Sequence, residues 1–387
     1  MATGGFSDRR ILVTGPAGQI AFPIVRALAV DNEVWGIARF TGGGSRERVE
    51  ATGCRTAVVD LAEPDWSGLP DHFDHVVHLA AFIIGDDFDR ALTVNAEGTG
   101  LLMQRFSTAR SVLVMSTSAV YRDVDDPEHR FAEGDPLGGH EQSFAPTYGI
   151  AKNAQEAVAR CMARILGLPT TIARMNMSYG ANGGLPAYQL DMMKAGMPIP
   201  IHDRPAWFNL IHQDDIDAQV PTMLDIADVP ATIVNWSGDE AVETCTYLDH
   251  LAELSGLELE VAPTPDGVSS RAIDTSRKIA LVGPCGRLAH QPTDEGGGPS
   301  SGSVRLSGWP RVGDRATYPQ FRDQSREIPP APGRGGRHHV PTGRRGRLGD
   351  NGRPAEPRRH GPPTVPERSG DRCRPRGHHL YLRDNLG

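Results

Sequence analysis

Residues 10–21 read Arg-Ile-Leu-Val-Thr-Gly-Pro-Ala-Gly-Gln-Ile-Ala, and this stretch decides the fold class. The apolar run over residues 10–14 predicts a buried parallel strand. Gly15 and Gly18 then form a turn, and a helix follows with apolar residues at helical spacing, namely Ile20, Ile24, Val25 and Leu28. Glycines let the backbone approach a pyrophosphate, and the start of the helix, from Gln19, offers free N–H groups. The stretch predicts a dinucleotide cradle; the alternative is an ordinary strand–helix turn without a ligand.

The residue after the second strand indicates which dinucleotide binds. The run 33–37 predicts that strand, and Arg39 follows it closely. An acidic residue here would accept a hydrogen bond from the ribose of NAD, whereas an arginine suits the 2′-phosphate of NADP. Because Arg46 and Arg48 stand nearby in a glycine-rich loop, we predict NADP(H) in preference to NAD(H). The alternative is that Arg39 stacks on the adenine or faces water.

Two more predicted strands end beside this cradle. The run 56–60 ends in Asp60, just before Leu61, and this acid could meet the adenine amino group or cap a following helix. The run 75–81 ends in Leu79, Ala80 and Ala81, where small side chains leave room for a dinucleotide above the sheet edge. We therefore predict that these residues line the cofactor site.

A phenol and an ammonium come four residues apart, at Tyr148 and Lys152. This spacing puts both groups on one face of a helix. A nearby positive charge favours the phenolate and moves the phenol pKa from about 10 toward neutrality, so that it can accept or return a proton. Such a pair also arises by chance on solvated helix faces. Its position downstream of the glycine turn makes a redox site the stronger interpretation.

The chain resembles the extended short-chain dehydrogenase/reductase family, the NAD(P)-dependent epimerase/dehydratase group, over about residues 9–283. The resemblance rests on the cradle, on Tyr148 and Lys152, and on further motifs at residues 94–99, 116–121, 174–180 and 209–215. It implies an α/β fold with a doubly wound parallel sheet (Rossmann). It also implies a cytoplasmic enzyme that oxidises or reduces a carbonyl or secondary alcohol, with nucleotide sugars among the candidate substrates. The rival interpretation is a non-catalytic or damaged dinucleotide-binding protein.

The resemblance also implies roles for individual residues. Thr117, with Ser118 as the alternative, would bind the substrate oxygen. Tyr148 would be the general acid/base, and Lys152 would hold the nicotinamide ribose and lower the Tyr148 pKa. The predicted site is completed by a cofactor contact at Asn95 and substrate contacts at Ser118, Asn176 and Arg204. For Arg204 a surface position without a ligand is the alternative. Helices over residues 97–109 and 148–166 would form a homodimer interface.

One departure from the family narrows the reaction. Sugar-nucleotide dehydratases of the family carry Asp-Glu directly after the threonine, whereas this chain has Ser118 and Ala119. Neither residue can abstract a carbon-bound proton or assist a leaving hydroxyl, so dehydration and decarboxylation are disfavoured. Carbonyl reduction, alcohol oxidation and epimerisation through a transient ketone remain.

Composition bounds the remaining possibilities. No stretch of 18 apolar residues and no secretory signal is found, so we predict neither a membrane span nor secretion. The five cysteines are scattered, which fits a reduced compartment and argues against a metal site. We predict a cofactor-binding core over residues 1–174 and a substrate lobe over residues 175–285.

Residues 286–387 form a different kind of sequence. They contain 19 Arg, no Lys and 10 acidic residues, with abundant Gly, Pro and His. Because such a segment buries little apolar surface, we predict that it is disordered. Three explanations stay open. A shifted reading frame after Pro284 is favoured over a natural disordered tail, and nucleic-acid binding is the least favoured.

Overall fold

The computed structural model describes residues 6–139 and 145–286 of the 387-residue chain. Apart from Gly286, the predicted disordered tail lies outside these residues. The fourteen strands that are described are β1 (Arg10–Thr14), β2 (Glu33–Ala38), β3 (Arg55–Val58), β4 (His75–His78), β5 (Ser111–Thr117), β6 (Thr170–Met175), β7 (Met177–Gly180), β8 (Gly183–Gly184), β9 (Ile199–His202), β10 (Trp207–Phe208), β11 (Leu210–His212), β12 (Thr232–Trp236), β13 (Val242–Glu243) and β14 (Val261–Thr264).

The helices alternate with the strands along the chain, as in other α/β folds. Within the described ranges they are α1 (Ala21–Leu28), α2 (Ser45–Glu50), α3 (Phe88–Leu92), α4 (Gly98–Arg105), α5 (Tyr148–Leu166), α6 (Leu185–Lys194), α7 (Gln213–Asp225), α8 (Thr244–Ser255) and α9 (Ser276–Val282). A π-helical turn over Thr93–Glu97 joins α3 to α4.

Seven parallel strands form the central sheet in the order β12-β6-β5-β4-β1-β2-β3. The order reverses between β1 and β4, where the carboxyl ends of the strands open a crevice for a ligand. Alternate residues of β1 point to opposite faces. Ile11 and Val13 pack in one apolar cluster with α1 and α7, while Leu12 packs in another with α4 and α5. Helices therefore cover both faces, which confirms the predicted doubly wound sheet.

A third apolar cluster lies in the predicted substrate lobe. It joins strands β7 and β9–β11 to helices α6 and α8, through residues such as Met177, Leu190, Phe208 and Leu248. Strand β9 pairs with β14, and β10 pairs with β13. The division into domains stays a prediction.

The π-helical turn makes one continuous helix from α3 and α4. Its closing bond runs from Gly98 N to Thr93 O, one residue further back than in an α-helix. A Cβ on Gly98 would lie 2.8 Å from Leu61 O, so only glycine allows the helix to approach that backbone.

The chain after α9 keeps specific contacts to the last described residue. Cys285 is buried, and its N–H donates to Asp239 Oδ2 at 2.8 Å. Gly286 N donates to Asp215 Oδ1 at 2.7 Å. Over the described ranges, no helix has the length and apolar character needed to cross a bilayer.

Candidate active site

The glycine turn lies at the crevice between β1 and β4. Gly15 has a φ of 66°, and a Cβ added there would come within 3.1 Å of Ala80 Cα. Gly15 N donates to Ile37 O, and Gly18 N donates to Gly15 O, at 2.8 and 2.9 Å. The turn therefore needs glycine both for its backbone angle and for its close approach to β4. Helix α1 begins at Ala21, directly after the turn.

Two amide side chains fasten this turn to the second half of the chain. Asn182 Nδ2 donates to Gln19 O at 2.7 Å and to Gln213 Oε1 at 2.9 Å. Gln213 Nε2 donates to Ile20 O at 3.3 Å. We call Asn182 and Gln213 the amide latch. Their spacing gives no sequence signal, because the latch exists only once the chain has folded. The Gln19 side chain itself reaches Ser178 Oγ at 3.3 Å.

The predicted adenosine end of the site gathers around Asp60. Asp60 Oδ2 pairs with Arg90 Nη2 at 2.9 Å, and Asp60 Oδ1 accepts from Ala62 N at 3.0 Å. Burial opposes ionisation of Asp60, but these hydrogen bonds and the charges of Arg90 and Arg39 lower its pKa overall. Residues 61–62 form a turn rather than a helix. The helix-cap alternative for Asp60 is therefore wrong, because its carboxylate closes a turn.

The three arginines near β2 differ in their contacts. Arg39 is exposed at the end of the strand. Arg46 is held by Glu50 and Thr56, at 2.9 and 2.8 Å. Arg48 reaches the glycine turn: its Nη2 donates to Ala17 O at 2.9 Å, and its guanidinium lies 4.3 Å from the ring centre of Phe22. Arg39 is thus an exposed arginine directly after β2, and Arg48 contacts the glycine turn.

The residues after β4 lie beside the glycine turn, since Ala80 packs against Gly15. The N–H groups of Leu79 and Ala80 both donate to Thr14 Oγ1, at 3.0 and 2.9 Å, and so are already used within the protein. Ala81 is half-buried. Asn95 is fully buried and holds this loop, since its amide bonds both Phe82 N and Phe82 O, at 2.7 and 2.9 Å. Asn95 therefore shapes the cofactor side by fixing the loop.

The predicted catalytic residues come together at the start of α5. Tyr148 is the first residue of α5, and its phenol lies close enough to Thr117 for that hydroxyl to lower the pKa of the phenol. Thr117 ends β5, and its Oγ1 also accepts from Ala119 N at 3.2 Å, which caps the short turn over residues 118–120. Ser118 is buried in that turn. Of the two hydroxyls considered for the triad, the structure pairs Thr117 with Tyr148.

Lys152 lies one turn further along α5 and is 1% exposed. Its Nζ donates to Met115 O and to Gln155 Oε1, each at 2.8 Å, and lies 5.8 Å from the ring centre of Tyr148. Burial lowers the pKa of Lys152 to about 7, although the charge of Glu156 opposes this change. The ammonium thus lies beside the phenol ring but directs two of its bonds elsewhere.

The Tyr148 pKa differs from the expectation of a phenol made more acidic by Lys152. Burial raises the pKa of the Tyr148 phenol to about 12, because desolvation penalises the phenolate, and the Thr117 hydroxyl opposes this rise only in part. The Lys152 amine donates to Met115 O and Gln155 Oε1. In this arrangement the phenol is protonated at neutral pH.

A buried ion pair supports the site from behind. Arg174 Nε and Nη2 bind the two oxygens of Glu156 at 2.9 and 2.7 Å. Ser116 Oγ donates to Glu156 Oε1 at 2.6 Å, and Arg174 Nη1 donates to Tyr121 OH at 3.1 Å. These contacts fix α5 against β5 and β6, so Tyr148 and Thr117 keep their relative position.

The predicted substrate residues are placed less uniformly. Ser118 adjoins the Thr117–Tyr148 pair. Both ends of the Asn176 amide are used within the protein, by Arg271 O at 2.7 Å and Met177 N at 2.8 Å. Arg204 is exposed and donates to Asp125 O at 3.0 Å. Their roles toward a substrate stay predictions. In the described ranges, no three His, Cys, Asp or Glu side chains cluster as metal ligands would.

This geometry agrees with comparisons to known proteins. The sequence model of the NAD dependent epimerase/dehydratase family matches residues 11–234, more than half of the chain. The chain belongs to this family. The matched residues include the glycine turn, Thr117, Tyr148 and Lys152.

Individual relatives are more distant. dTDP-glucose 4,6-dehydratase 1 of Escherichia coli is 27% identical over 201 residues, which is 44% of this chain and 55% of that protein. The chain thus spans little more than half the length of this curated relative. Among solved structures, UDP-glucuronic acid 4-epimerase from Bacillus cereus, in complex with UDP-glucuronic acid and NAD, is 22% identical with a TM-score of 0.61. The alignment covers 70% of this chain and 92% of that one.

A UDP-N-acetylglucosamine 4-epimerase from Methanobrevibacter ruminantium has the same TM-score of 0.61 at 18% identity, over 71% of this chain and 92% of its own. At these identities the structural neighbours establish the shared fold of this epimerase/dehydratase family member.

Proposed function

We propose that this epimerase/dehydratase family member is an NAD(P)-dependent enzyme that epimerises or oxidises a secondary alcohol of a nucleotide sugar. The single observation that carries the proposal is the convergence of three side chains: the Thr117 hydroxyl acts on the Tyr148 phenol, and Lys152 Nζ lies 5.8 Å from the centre of the phenol ring. The family match and the solved neighbours, one in complex with UDP-glucuronic acid and NAD and another with UDP-N-acetylmuramic acid, support the substrate class.

The cradle fits a dinucleotide. Gly15 is needed for its φ of 66° and for its close packing against Ala80, and the turn that it forms leads into α1, whose first N–H groups suit a pyrophosphate. Gly15, Gly18, Gln19 and Ile20 would hold the pyrophosphate. Leu61, Ala80 and Ala81 would line the adenine and nicotinamide sides. When bound, a nicotinamide dinucleotide supplies the hydride acceptor and donor.

The protein's own residues manage the proton. Thr117 donates to or accepts from the substrate oxygen and orients it toward Tyr148. Tyr148 must first lose its own phenol proton; its phenolate form would then take the hydroxyl proton as hydride leaves and return it when hydride comes back. Lys152 holds a positive charge beside the phenol, which stabilises the phenolate as it forms. Ser118 and Ala119 provide no further base, so we propose that dehydration does not follow.

We further propose that NADP(H) is preferred. Arg39 and Arg48 put two cations on the side where the adenosine ribose would lie, and they suit a 2′-phosphate. NAD is the dinucleotide named for the solved neighbours, so the preference is a property of this chain's own residues.

A homodimer is proposed through α4 and α5. Leu101 on α4 and Ile150 and Ile165 on α5 are exposed, the last at 71%. These apolar side chains lie on the helices that the family resemblance assigns to the interface, so pairing two copies would bury them. A cytoplasmic location stays an expectation from the sequence.

The test is direct conversion of UDP-glucuronic acid and UDP-glucose in the presence of NAD⁺ or NADP⁺, followed by NMR of the sugar. Tyr148→Phe should lower turnover by about a hundredfold or more while cofactor affinity changes little. Tyr247→Phe is the matched control, because Tyr247 is a buried phenol that is hydrogen-bonded to Gln189 and belongs to the third apolar cluster, in the predicted substrate lobe. A Tyr148→Phe protein that retains most of its activity would contradict the assignment.

A further inference from the structure

A chain of buried hydrogen bonds leads from Lys152 to the glycine turn. Gln155, Thr99, His78 and Thr14 are each 0% exposed. Gln155 Oε1 accepts from Lys152 Nζ at 2.8 Å, and Gln155 Nε2 donates to Thr99 Oγ1 at 3.0 Å. The ring nitrogens of His78 then bridge Thr99 Oγ1 and Thr14 Oγ1, each at 2.8 Å. This series of hydrogen bonds connects α5 to the end of β1 through side chains of α4 and β4.

The direction of each bond can be derived from its neighbours. The Thr99 hydroxyl donates to Asn95 O at 2.6 Å. Its oxygen must therefore accept from both Gln155 Nε2 and His78 Nε2. His78 consequently carries its proton on Nε2 and leaves Nδ1 as an acceptor for the Thr14 hydroxyl. The arrangement therefore specifies one histidine tautomer and one orientation of the Gln155 amide.

At its far end the chain reaches the cofactor side. Thr14 Oγ1 accepts from the N–H groups of Leu79 and Ala80, at 3.0 and 2.9 Å. Ala80 is the residue whose backbone closely approaches Gly15. The hydrogen bonds that hold Lys152 are thus connected to the hydrogen bonds that position Ala80 beside the glycine turn. A fully satisfied buried network of this kind is rigid and specific.

We propose that Gln155, Thr99 and His78 are a positioning relay, which holds the Lys152 ammonium beside Tyr148 and ties it to the glycine turn. This inference rests on the proposed function of Lys152. Gln155 is the side chain in the relay that meets the ammonium, since the other acceptor is the backbone oxygen of Met115. An ammonium has three donors, and two are used here, which leaves one for the cofactor ribose.

Three titratable side chains face Lys152 besides its hydrogen-bond acceptors, namely His78, Glu156 and Tyr148. Burial and the Lys152 charge together lower the pKa of His78 to about 3, so His78 is neutral and cannot compete with the ammonium. Glu156 on the same helix attracts Lys152, but its charge is shared with Arg174 of β6. Tyr148 faces the ammonium through its ring. Gln155 is therefore the neutral acceptor whose loss the ammonium would feel directly.

The experiment uses the low lysine content of the chain, which has only Lys152, Lys194 and Lys278. Full-length protein labelled with ¹⁵N-lysine allows the titration of Lys152 to be followed by NMR without substrate. Gln155→Leu removes an acceptor and should lower the pKa of Lys152 by about one unit, whereas Gln155→Glu should raise it by about one unit or more. The pH limb of sugar conversion should move in the same two directions, with cofactor Kd within about threefold.

Gln189→Leu is the matched control, because it also removes a buried amide, which is hydrogen-bonded to Tyr247 of the third apolar cluster. It should leave the Lys152 titration unchanged. Gln155→Glu is close in shape to the native residue, and it keeps the test available if Gln155→Leu does not fold.

The outcomes separate the relay from the proposed function. Opposite shifts in the two Gln155 variants support the relay, even if the wild type converts no nucleotide sugar and the proposed function fails. Sugar conversion by the wild type, with an unchanged Lys152 titration in both variants, would overturn the relay and leave the function standing. An equal shift in Gln189→Leu would also overturn it.

Discussion

At the scale of single residues, Lys152 combines a buried position with a charge. The folded state lowers its pKa from 10.5 to about 7, because desolvation penalises the ammonium. The unfolded chain therefore binds more protons between these two pH values, and the contribution of Lys152 to stability becomes more favourable as pH rises through that window. At pH 7 and below, the buried charge is a cost to folding.

Lys152→Met should accordingly stabilise the fold at pH 7 by about 1 kcal/mol while removing activity, since an apolar side chain of similar length replaces a buried charge. The gain should shrink between pH 7 and pH 9. Urea unfolding at both pH values measures it. A variant that is less stable than the wild type at pH 7, or a difference that does not change with pH, would contradict this account.

Arg39 tests the choice of cofactor. Arg39→Asp should weaken NADPH binding by about tenfold or more, because it removes a charge-assisted contact and adds repulsion of the 2′-phosphate. NADH binding should change less. Fluorescence titration with both cofactors measures this, and Arg46→Asp is the control because Arg46 is held by Glu50 and Thr56. Unchanged NADPH affinity in the Arg39 variant would remove Arg39 from the site.

The spacing of Tyr148 and Lys152 was enough to predict their shared helix face from sequence. Gln155 and His78 could not be predicted in the same way, because their partners include Thr14 of β1 and Thr99 of α4, far away along the chain. The Tyr148 pKa was also beyond reach, since it depends on how closely the phenol is packed. Sequence spacing identifies chemical groups, and folding decides their solvation.

At the scale of secondary-structure elements, α5 has a buried face and an exposed face with different side chains. Lys152, Gln155 and Glu156 lie on its buried face, while Ile150, Cys161 and Ile165 lie exposed on the other. Ile165→Arg should therefore convert a dimer to a monomer, because a buried unpaired charge at an interface is costly. Analytical ultracentrifugation measures the mass.

Val30→Arg is the matched control for that prediction, since Val30 is equally exposed, at 76%, but follows α1. It should leave the oligomeric state unchanged. A bifunctional maleimide of short reach should also cross-link Cys161 between copies. Identical sedimentation of the wild type and Ile165→Arg would contradict an interface on α5.

Helix boundaries show where sequence patterns mislead. The Asp214-Asp215 pair suggests a cap for a helix that begins at Ile216. The structure instead begins α7 at Gln213, with His212 as the cap, because His212 Nδ1 accepts from Asp214 N at 3.1 Å. The two acids lie in the first turn, where they favour the positive end of the helix dipole. Histidine is a less common N-cap residue than aspartate, so the sequence did not indicate that His212 caps α7.

At the scale of the whole molecule, the amide latch joins the glycine turn to elements 160 or more residues away in sequence, since Asn182 is 163 residues from Gln19 and Gln213 is 193 from Ile20. Asn182→Leu should weaken cofactor binding and raise KM for the nucleotide sugar together, each by about threefold to tenfold, because it leaves the Gln19 carbonyl without its donor. Calorimetric titration and steady-state kinetics measure the two effects.

Asn32→Leu is the control, because Asn32 makes similar amide bonds, to Leu28 O and Arg9 N, at the opposite edge of the sheet. It should lower stability without changing cofactor affinity. Equal effects of the two variants on binding would show that the latch has no special connection to the cradle. The doubly wound parallel sheet was predicted from the sequence, but contacts of such long range were not.

The π-helical turn between α3 and α4 contains one residue more than a regular α-helix would have at this place. Each residue of an α-helix advances the chain by about 100°, so the one extra residue rotates everything after it by that angle relative to a regular helix. Removing a single residue from 93–97 would restore regular pitch without breaking the helix. It would also carry Thr99 away from His78 and Gly98 away from Leu61 O, and it would turn the exposed Leu101 to a different direction. One extra residue in this helix thus affects the glycine turn, the hydrogen bonds that lead to Lys152 and the surface of α4. Alignments with relatives that lack the extra residue should be shifted by one position on one side of this turn.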